Sequence, residues 1–145
     1  MNKPIDICLD FDGTCVFHEF PNVGNDIPNC VNVLKKIVSK GHNIILFTMR
    51  SDRHIGGNTG HSDIQDVTGI FLTDAINWFS ERDIPLYGIQ SNPTQINWTT
   101  SPKAYGHLYI DDAALGCPVL LDQSSSRPYV EWIEVERMLI NIGVL

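Results

Sequence analysis

Short apolar segments with the composition of buried strands alternate along this chain with segments whose apolar residues recur at helical spacing. The strand-like segments are residues 4–9, 43–48, 85–90, 107–110 and 118–121. Helical spacing covers residues 31–38, 67–78 and 130–142. The alternation predicts a parallel α/β sheet of the doubly wound, three-layer, Rossmann-like class. The 145 residues fit one domain, residues 1–145.

The first helix has predicted boundaries on both sides. Asn25 or Asp26 is the predicted N-cap, with Pro28 in the first turn, and Gly41 is the predicted end. Residues 14–26 predict a loop or a small hairpin, and two longer loops are predicted at residues 51–62 and 91–102.

The charge and cysteine content limit which binding partners and which cellular compartment we expect for this protein. The chain has 10 Lys and Arg against 17 Asp and Glu, a formal net charge of −7, which argues against a broad nucleic-acid surface. No segment approaches the roughly 18 apolar residues of a membrane span, and the N-terminus lacks the apolar core of a signal peptide. The four cysteines have no CxxC spacing. We therefore expect no membrane partner, reduced thiols and a cytoplasmic location.

Chemically active side chains follow the predicted strands. Asp10 and Asp12 come after the first strand, Thr48 ends the second, and Asp111 and Asp112 end the fourth. Parallel sheets bind ligands outside the carboxyl ends of their strands, so these residues are predicted to share one site.

Four segments carry a family resemblance. Residues 7–14, with the sequence ICLDFDGT, resemble the hhhDxDGT motif of the haloacid dehalogenase-like superfamily, and residues 45–48, ILFT, resemble its second motif. Lys103 matches the lysine of the third motif, and residues 109–112, YIDD, look like the acidic fourth motif. The motifs occur in the family's order between residues 5 and 112. Taken alone, Asp111 and Asp112 also fit a helix cap, and Lys103 fits a solvated lysine.

The resemblance implies a phosphoryl-transfer mechanism. Asp10 would attack phosphorus and become an aspartyl phosphate. Asp12 would protonate the leaving group and then activate water, while Gly13 would permit a turn that a side chain would obstruct. Thr48 would donate a hydrogen bond to a phosphate oxygen, and Lys103 would neutralise the charge that Asp10 and the phosphate bring together.

The resemblance also implies a Mg²⁺ ion. Its ligands would be Asp10, the backbone carbonyl of Asp12, and the acidic pair that follows the fourth strand, with Asp112 favoured over Asp111 as the direct ligand. Substrate would contact Thr48, Met49, Arg50 and Lys103. Trp98, in a polar loop, is a candidate to stack on substrate. The loop histidines His54 and His61 have no zinc-like spacing.

No segment is long enough for the cap domain that many family members carry. The resemblance therefore implies a capless protein with an open site, which suits a bulky substrate or closure by a second copy of the chain. The leading interpretation is a phosphatase acting on a phosphorylated small molecule or polymer end.

Three alternatives stay open at this point. Two belong to the same superfamily: a nucleotidase or polynucleotide-end phosphatase, for which Arg50 and Trp98 would be the discriminating residues, and a phosphotransferase. The third is a receiver-like phosphorylatable module, which would carry its phosphorylated Asp after the third strand. This chain has Gln90 there, and DxDGT follows the first strand instead.

Overall fold

The computed structural model describes residues 3–53 and 68–145. In chain order the elements are β1 (Asp6–Leu9), α1 (Cys30–Ser39), β2 (Asn43–Leu46), β3 (Asp52–Arg53), β4 (Gly69–Ile70), α2 (Phe71–Glu81), β5 (Gly88–Ile89), β6 (Leu108–Ile110), β7 (Val119–Leu120), β8 (Tyr129–Val130) and α3 (Trp132–Asn141). A single 3-10 turn, Gln95–Asn97, lies between β5 and β6. None of the described helices has the length and apolar character needed to cross a membrane.

The main sheet has four parallel strands in the order β5-β2-β1-β6. The chain moves outward from β1 to β2 and β5, and then returns to add β6 on the other side of β1. This reversal of direction is the doubly wound arrangement, and the predicted Rossmann-like α/β class is confirmed. The point of reversal lies between β1 and β6, where such sheets bind their ligands.

One face of the sheet carries the main core. Alternate residues of the central strands, such as Ile7, Leu9, Ile44 and Leu46, pack in the same cluster as the buried residues of α1, α2 and α3. In α1 these residues are Cys30, Val33, Leu34 and Ile37, the spacing of a helix with one apolar face. The helical periodicity read from the sequence therefore corresponds to burial against this face.

The other face is covered by the return segment, residues 90–107, because a right-handed crossover back to β6 must pass over the face opposite to α1 and α2. Cys8, Ile45 and Ala104 form its small apolar cluster. Buried Asn92 fastens the segment to the sheet, since its Nδ2 donates to Asp6 Oδ2 at 2.9 Å and to the Tyr105 carbonyl at 3.1 Å. The third layer is thus a loop in the described residues, as predicted for residues 91–102.

The start of α1 differs from the prediction. The helix begins at Cys30, after Asn29 in a left-handed conformation at φ 68°. Neither Asn25 nor Asp26 caps it, because the Asp26 carboxylate accepts hydrogen bonds from Trp78 Nε1 at 2.8 Å and from Arg82. Gly41 follows the helix at φ 89°, which confirms its predicted place at the end.

Two further elements differ from the prediction. Helix α2 starts at Phe71 and not near residue 67, because Gly69–Ile70 pairs with Asp52–Arg53 as a short antiparallel ribbon. The predicted fifth strand near residues 118–121 is real, but it pairs with β8 as an antiparallel hairpin and does not join the main sheet. Of the predicted 51–62 loop, residues from 54 onward lie outside the described residues, and so do His54 and His61.

Candidate functional site

Three carboxylates converge at the carboxyl ends of β1 and β6. Leu9 is in register with Ile110, and the Asp10 backbone N–H donates to the Ile110 carbonyl at 3.0 Å. One carboxylate oxygen from each of Asp10, Asp111 and Asp112 lies within 4.8 Å of the others. We call these three residues the acidic cluster. The sheet thus brings the predicted nucleophile, Asp10, close to Asp111 and Asp112, the acidic pair predicted to bind metal.

Burial and mutual repulsion disfavour ionisation of the carboxyl groups in the acidic cluster. Burial raises the pKa of Asp10 to about 8, with further contributions from a hydrogen bond with Asp112 and the charge of Asp111. Burial also raises the pKa of Asp111, a shift that the backbone N–H of Ala113 partly opposes. A cation would offset this repulsion. Because the convergent donors are all carboxylate oxygens, they suit a hard ion such as Mg²⁺.

Buried Thr14 links the two halves of the acidic cluster. Its hydroxyl accepts from the Asp112 backbone N–H at 3.2 Å and donates to Asp10 Oδ2 at 2.8 Å. The hydroxyl therefore fixes the Oδ2 oxygen of Asp10. No role was predicted for Thr14 from the sequence, although its place at the end of the DxDGT motif was a usable signal.

Gly13 makes the turn after β1 compatible with the site. Its φ is 78°, and a Cβ at this position would lie 2.1 Å from His18 Nε2 and 2.6 Å from Asp112 Oδ2. This confirms the prediction that a side chain would obstruct the turn. The space that Gly13 leaves is occupied by His18, whose Nε2 lies 3.1 Å from Asp112 Oδ2. His18 was not among the residues predicted to form the site.

Arg50 has a different place from the predicted one. Its guanidinium forms a two-pronged ion pair with Asp12, with Nε to Oδ2 and Nη2 to Oδ1 both at 2.7 Å, and its side chain is 1% exposed. The remaining donors bind backbone carbonyls of Pro21, Asn22 and Phe71. All five N–H donors of the Arg50 guanidinium are thus engaged inside the protein, and its contact with substrate stays a prediction.

The segment from Thr48 to Arg50 is held by Gln90. The Gln90 amide accepts from the Thr48 N–H at 2.9 Å and donates to the carbonyls of Thr48 at 2.7 Å and Arg50 at 3.1 Å. The Thr48 hydroxyl accepts from the Arg50 N–H at 3.1 Å. Met49, a predicted substrate contact, exposes 97% of its surface. In the sequence, Gln90 was notable only as a residue that is not aspartate, and its positioning role was not predicted.

Lys103 lies on the return segment, and its ammonium is 5.8 Å from the ring centroid of Tyr109. Within residues 3–53 and 68–145 it forms no ion pair with a carboxylate. It lines a groove of about 460 Å³ with Trp98, Thr99, Ser101, Tyr105 and Tyr109, which we call the aromatic groove. The acidic cluster does not line this groove. Tyr109, which lines the groove, is two residues before Asp111 in the chain.

Comparison with known proteins supports the fold. No family model and no curated protein matches the chain. A solved structure described as that of the conserved protein coded by a locus from Bacteroides thetaiotaomicron is similar to it, with a TM-score of 0.70 and 25% sequence identity. The match covers 97% of this chain and 93% of that chain. The fold is a single Rossmann-like α/β domain.

Proposed function

We propose that this protein is a Mg²⁺-dependent phosphatase that hydrolyses a phosphomonoester through an aspartyl phosphate on Asp10. The observation that carries the proposal is the acidic cluster, which lies at the point of strand reversal where a doubly wound sheet binds ligands. The first and fourth motifs support it, because Asp10 of the first lies close to Asp111 and Asp112 of the fourth.

The residues divide the reaction between them. With Oδ2 engaged by Thr14, Oδ1 of Asp10 forms a bond to phosphorus while the bond from phosphorus to the ester oxygen breaks. The ester oxygen leaves with that electron pair and takes a proton from water. Mg²⁺, held by Asp10 with Asp112 or Asp111 and the Asp12 carbonyl, would neutralise charge on the transferred phosphoryl group. Water then cleaves the aspartyl phosphate and releases inorganic phosphate.

The ion pair with Arg50 affects what Asp12 contributes. A carboxylate has about four acceptor sites, and Arg50 occupies one on each oxygen, so Asp12 still has lone pairs with which to orient water. Donation of a proton to the leaving group would require Asp12 to loosen this pair. We therefore propose water activation as its main role, and substrates with good leaving groups as the best ones.

Hydrolysis of p-nitrophenyl phosphate should require Mg²⁺ and stop with a chelator, because the acidic cluster cannot accept a phosphate dianion without a cation. The measurement is nitrophenol release by metal-stripped protein with and without added Mg²⁺. Protein carrying Asp10→Asn, purified in parallel, controls for contaminating phosphatases. Undiminished turnover after exhaustive metal removal would contradict the proposed mechanism.

The same assay separates the open alternatives. A phosphatase releases inorganic phosphate and nitrophenol in equal amounts over many turnovers. A phosphotransferase releases less phosphate when an alcohol acceptor is added, and a receiver-like module stops after one equivalent with the phosphoryl group retained on the protein.

A nucleotidase is the second candidate, and the aromatic groove favours it. Trp98 is 60% exposed there and makes an edge contact with Tyr105 at 5.5 Å, so the two rings offer a surface on which a base can stack. The buried position of Arg50 removes the other residue that the sequence offered for recognition.

Trp98→Ala should raise KM for a nucleoside monophosphate about tenfold, because one base–aromatic stack is lost. KM for glycerol phosphate, which has no ring, should stay unchanged. Tyr87→Ala is the matched control, since Tyr87 is an exposed aromatic residue outside the groove. An equal rise in KM for both substrates would contradict base stacking.

A further inference from the structure

His18 contacts the acidic cluster from the loop that follows the first motif. Its Nε2 lies 3.1 Å from Asp112 Oδ2 and 3.2 Å from the Pro128 carbonyl. Both partners are acceptors, so Nε2 must carry a hydrogen and share it between them. The side chains of His18 and Asp112 are only 11% and 13% exposed, which distinguishes this contact from a solvated surface pair.

The contact depends on the backbone beneath it. Nε2 occupies the space into which a Cβ at position 13 would project. Glycine at this position therefore allows the positive φ of the turn and also leaves room for the imidazole. The Gly13 carbonyl accepts from the Val130 N–H at 2.9 Å, two residues after Pro128. This hydrogen bond holds the start of β8 beside the turn. It thereby also positions the Pro128 carbonyl, the second acceptor of the His18 N–H.

The imidazole completes the immobilisation of Asp112. Thr14 accepts from the Asp112 backbone N–H, and its hydroxyl oxygen lies 3.5 Å from Asp112 Oδ1. His18 holds the opposite oxygen, Oδ2. The His18 contact limits rotation of the Asp112 carboxylate, which therefore loses less rotational freedom when it binds a cation. Residues that orient a metal ligand in this way matter for affinity: removing one typically weakens metal binding by about 10–100-fold.

We infer that His18 is a positioning residue for Asp112, and that it strengthens divalent-cation binding without itself being a ligand; the inference rests on the proposed function. His18 does not belong to the group of ligand atoms that lie within 4.8 Å of one another, which comprises Asp10, Asp111 and Asp112 among the described residues. It therefore acts on the cation through Asp112.

The test is a Mg²⁺ titration followed by the shift in unfolding temperature, which needs no substrate. His18→Phe keeps a ring but removes the donor, and should weaken Mg²⁺ binding by about 10–100-fold. His18→Gln places an amide N–H near the position of Nε2 and should recover binding to within about threefold of wild type. Glu19→Gln, a neighbouring exposed position, is the control and should bind Mg²⁺ normally.

The unfolding midpoint of each variant without metal separates positioning from stability. If His18→Phe does not fold, His18→Asn serves instead, because its shorter amide does not reach Asp112 Oδ2. Normal Mg²⁺ affinity in either variant would overturn the inference and leave the proposed function intact. Failure of His18→Gln to recover binding would also overturn it. Absence of Mg²⁺ binding by the wild-type protein would overturn the proposed function together with the inference.

Discussion

Asp10→Asn is expected to lower kcat/KM for an aryl phosphate by on the order of 10⁴-fold or more, because it removes the attacking oxygen anion. The amide is nearly isosteric with the carboxylate, and its oxygen can still accept the Thr14 hydroxyl hydrogen bond. The measurement is kcat/KM with p-nitrophenyl phosphate at saturating Mg²⁺.

The protein should remain folded. Burial already raises the pKa of Asp10, so a neutral side chain suits this position, and the metal-free denaturation midpoint is not expected to fall. Asp83→Asn, which changes an exposed carboxylate after α2, should leave kcat/KM within about twofold of wild type, as surface substitutions far from a site usually do. Wild-type turnover by Asp10→Asn would assign the nucleophile to another residue.

Arg50→Gln is expected to lower the free energy of unfolding by about 3–5 kcal/mol, because it leaves the Asp12 carboxylate partly buried without its partner. The loss also removes the guanidinium from between the rings of Phe11 and Phe20, whose centroids lie 5.2 and 5.1 Å from it. Urea denaturation monitored by tryptophan fluorescence gives the measurement.

Arg82 offers a matched control. It forms the same two-pronged pair with Asp26 and lies 4.4 Å from the Trp78 ring centroid. Its side chain, however, is 27% exposed against 1% for Arg50. Arg82→Gln should therefore cost only about 1 kcal/mol or less. Equal losses for the two variants would show that burial does not set the value of the Arg50 pair.

A double variant isolates the cause of the loss. Asp12→Asn combined with Arg50→Gln should recover at least about 1 kcal/mol relative to Arg50→Gln alone, because the unpaired charge is gone. If the double variant is less stable than Arg50→Gln alone, the cost arises from lost packing and carbonyl contacts and not from the uncompensated carboxylate.

The strand ends were predictable because order and periodicity are local properties of a chain. Alternation placed Asp10 after one strand and Asp111 and Asp112 after another, and the geometry of doubly wound sheets brings such ends together. The helix cap was not predictable in this way. Asp26 has the residue type of a cap, but Trp78 and Arg82, more than 50 residues away in the chain, donate hydrogen bonds to its carboxylate.

The sequence by itself determined the α/β class, the acidic residues of the candidate site and the need for glycine at position 13. Only the tertiary structure decided which side chains pair with them: Arg50 with Asp12 across 38 residues, and Thr14 with Asp112 across 98 residues. The physical reason is that residue type and spacing fix which elements form. The partner of a buried polar group is instead whichever donor or acceptor the packed elements place within hydrogen-bond distance.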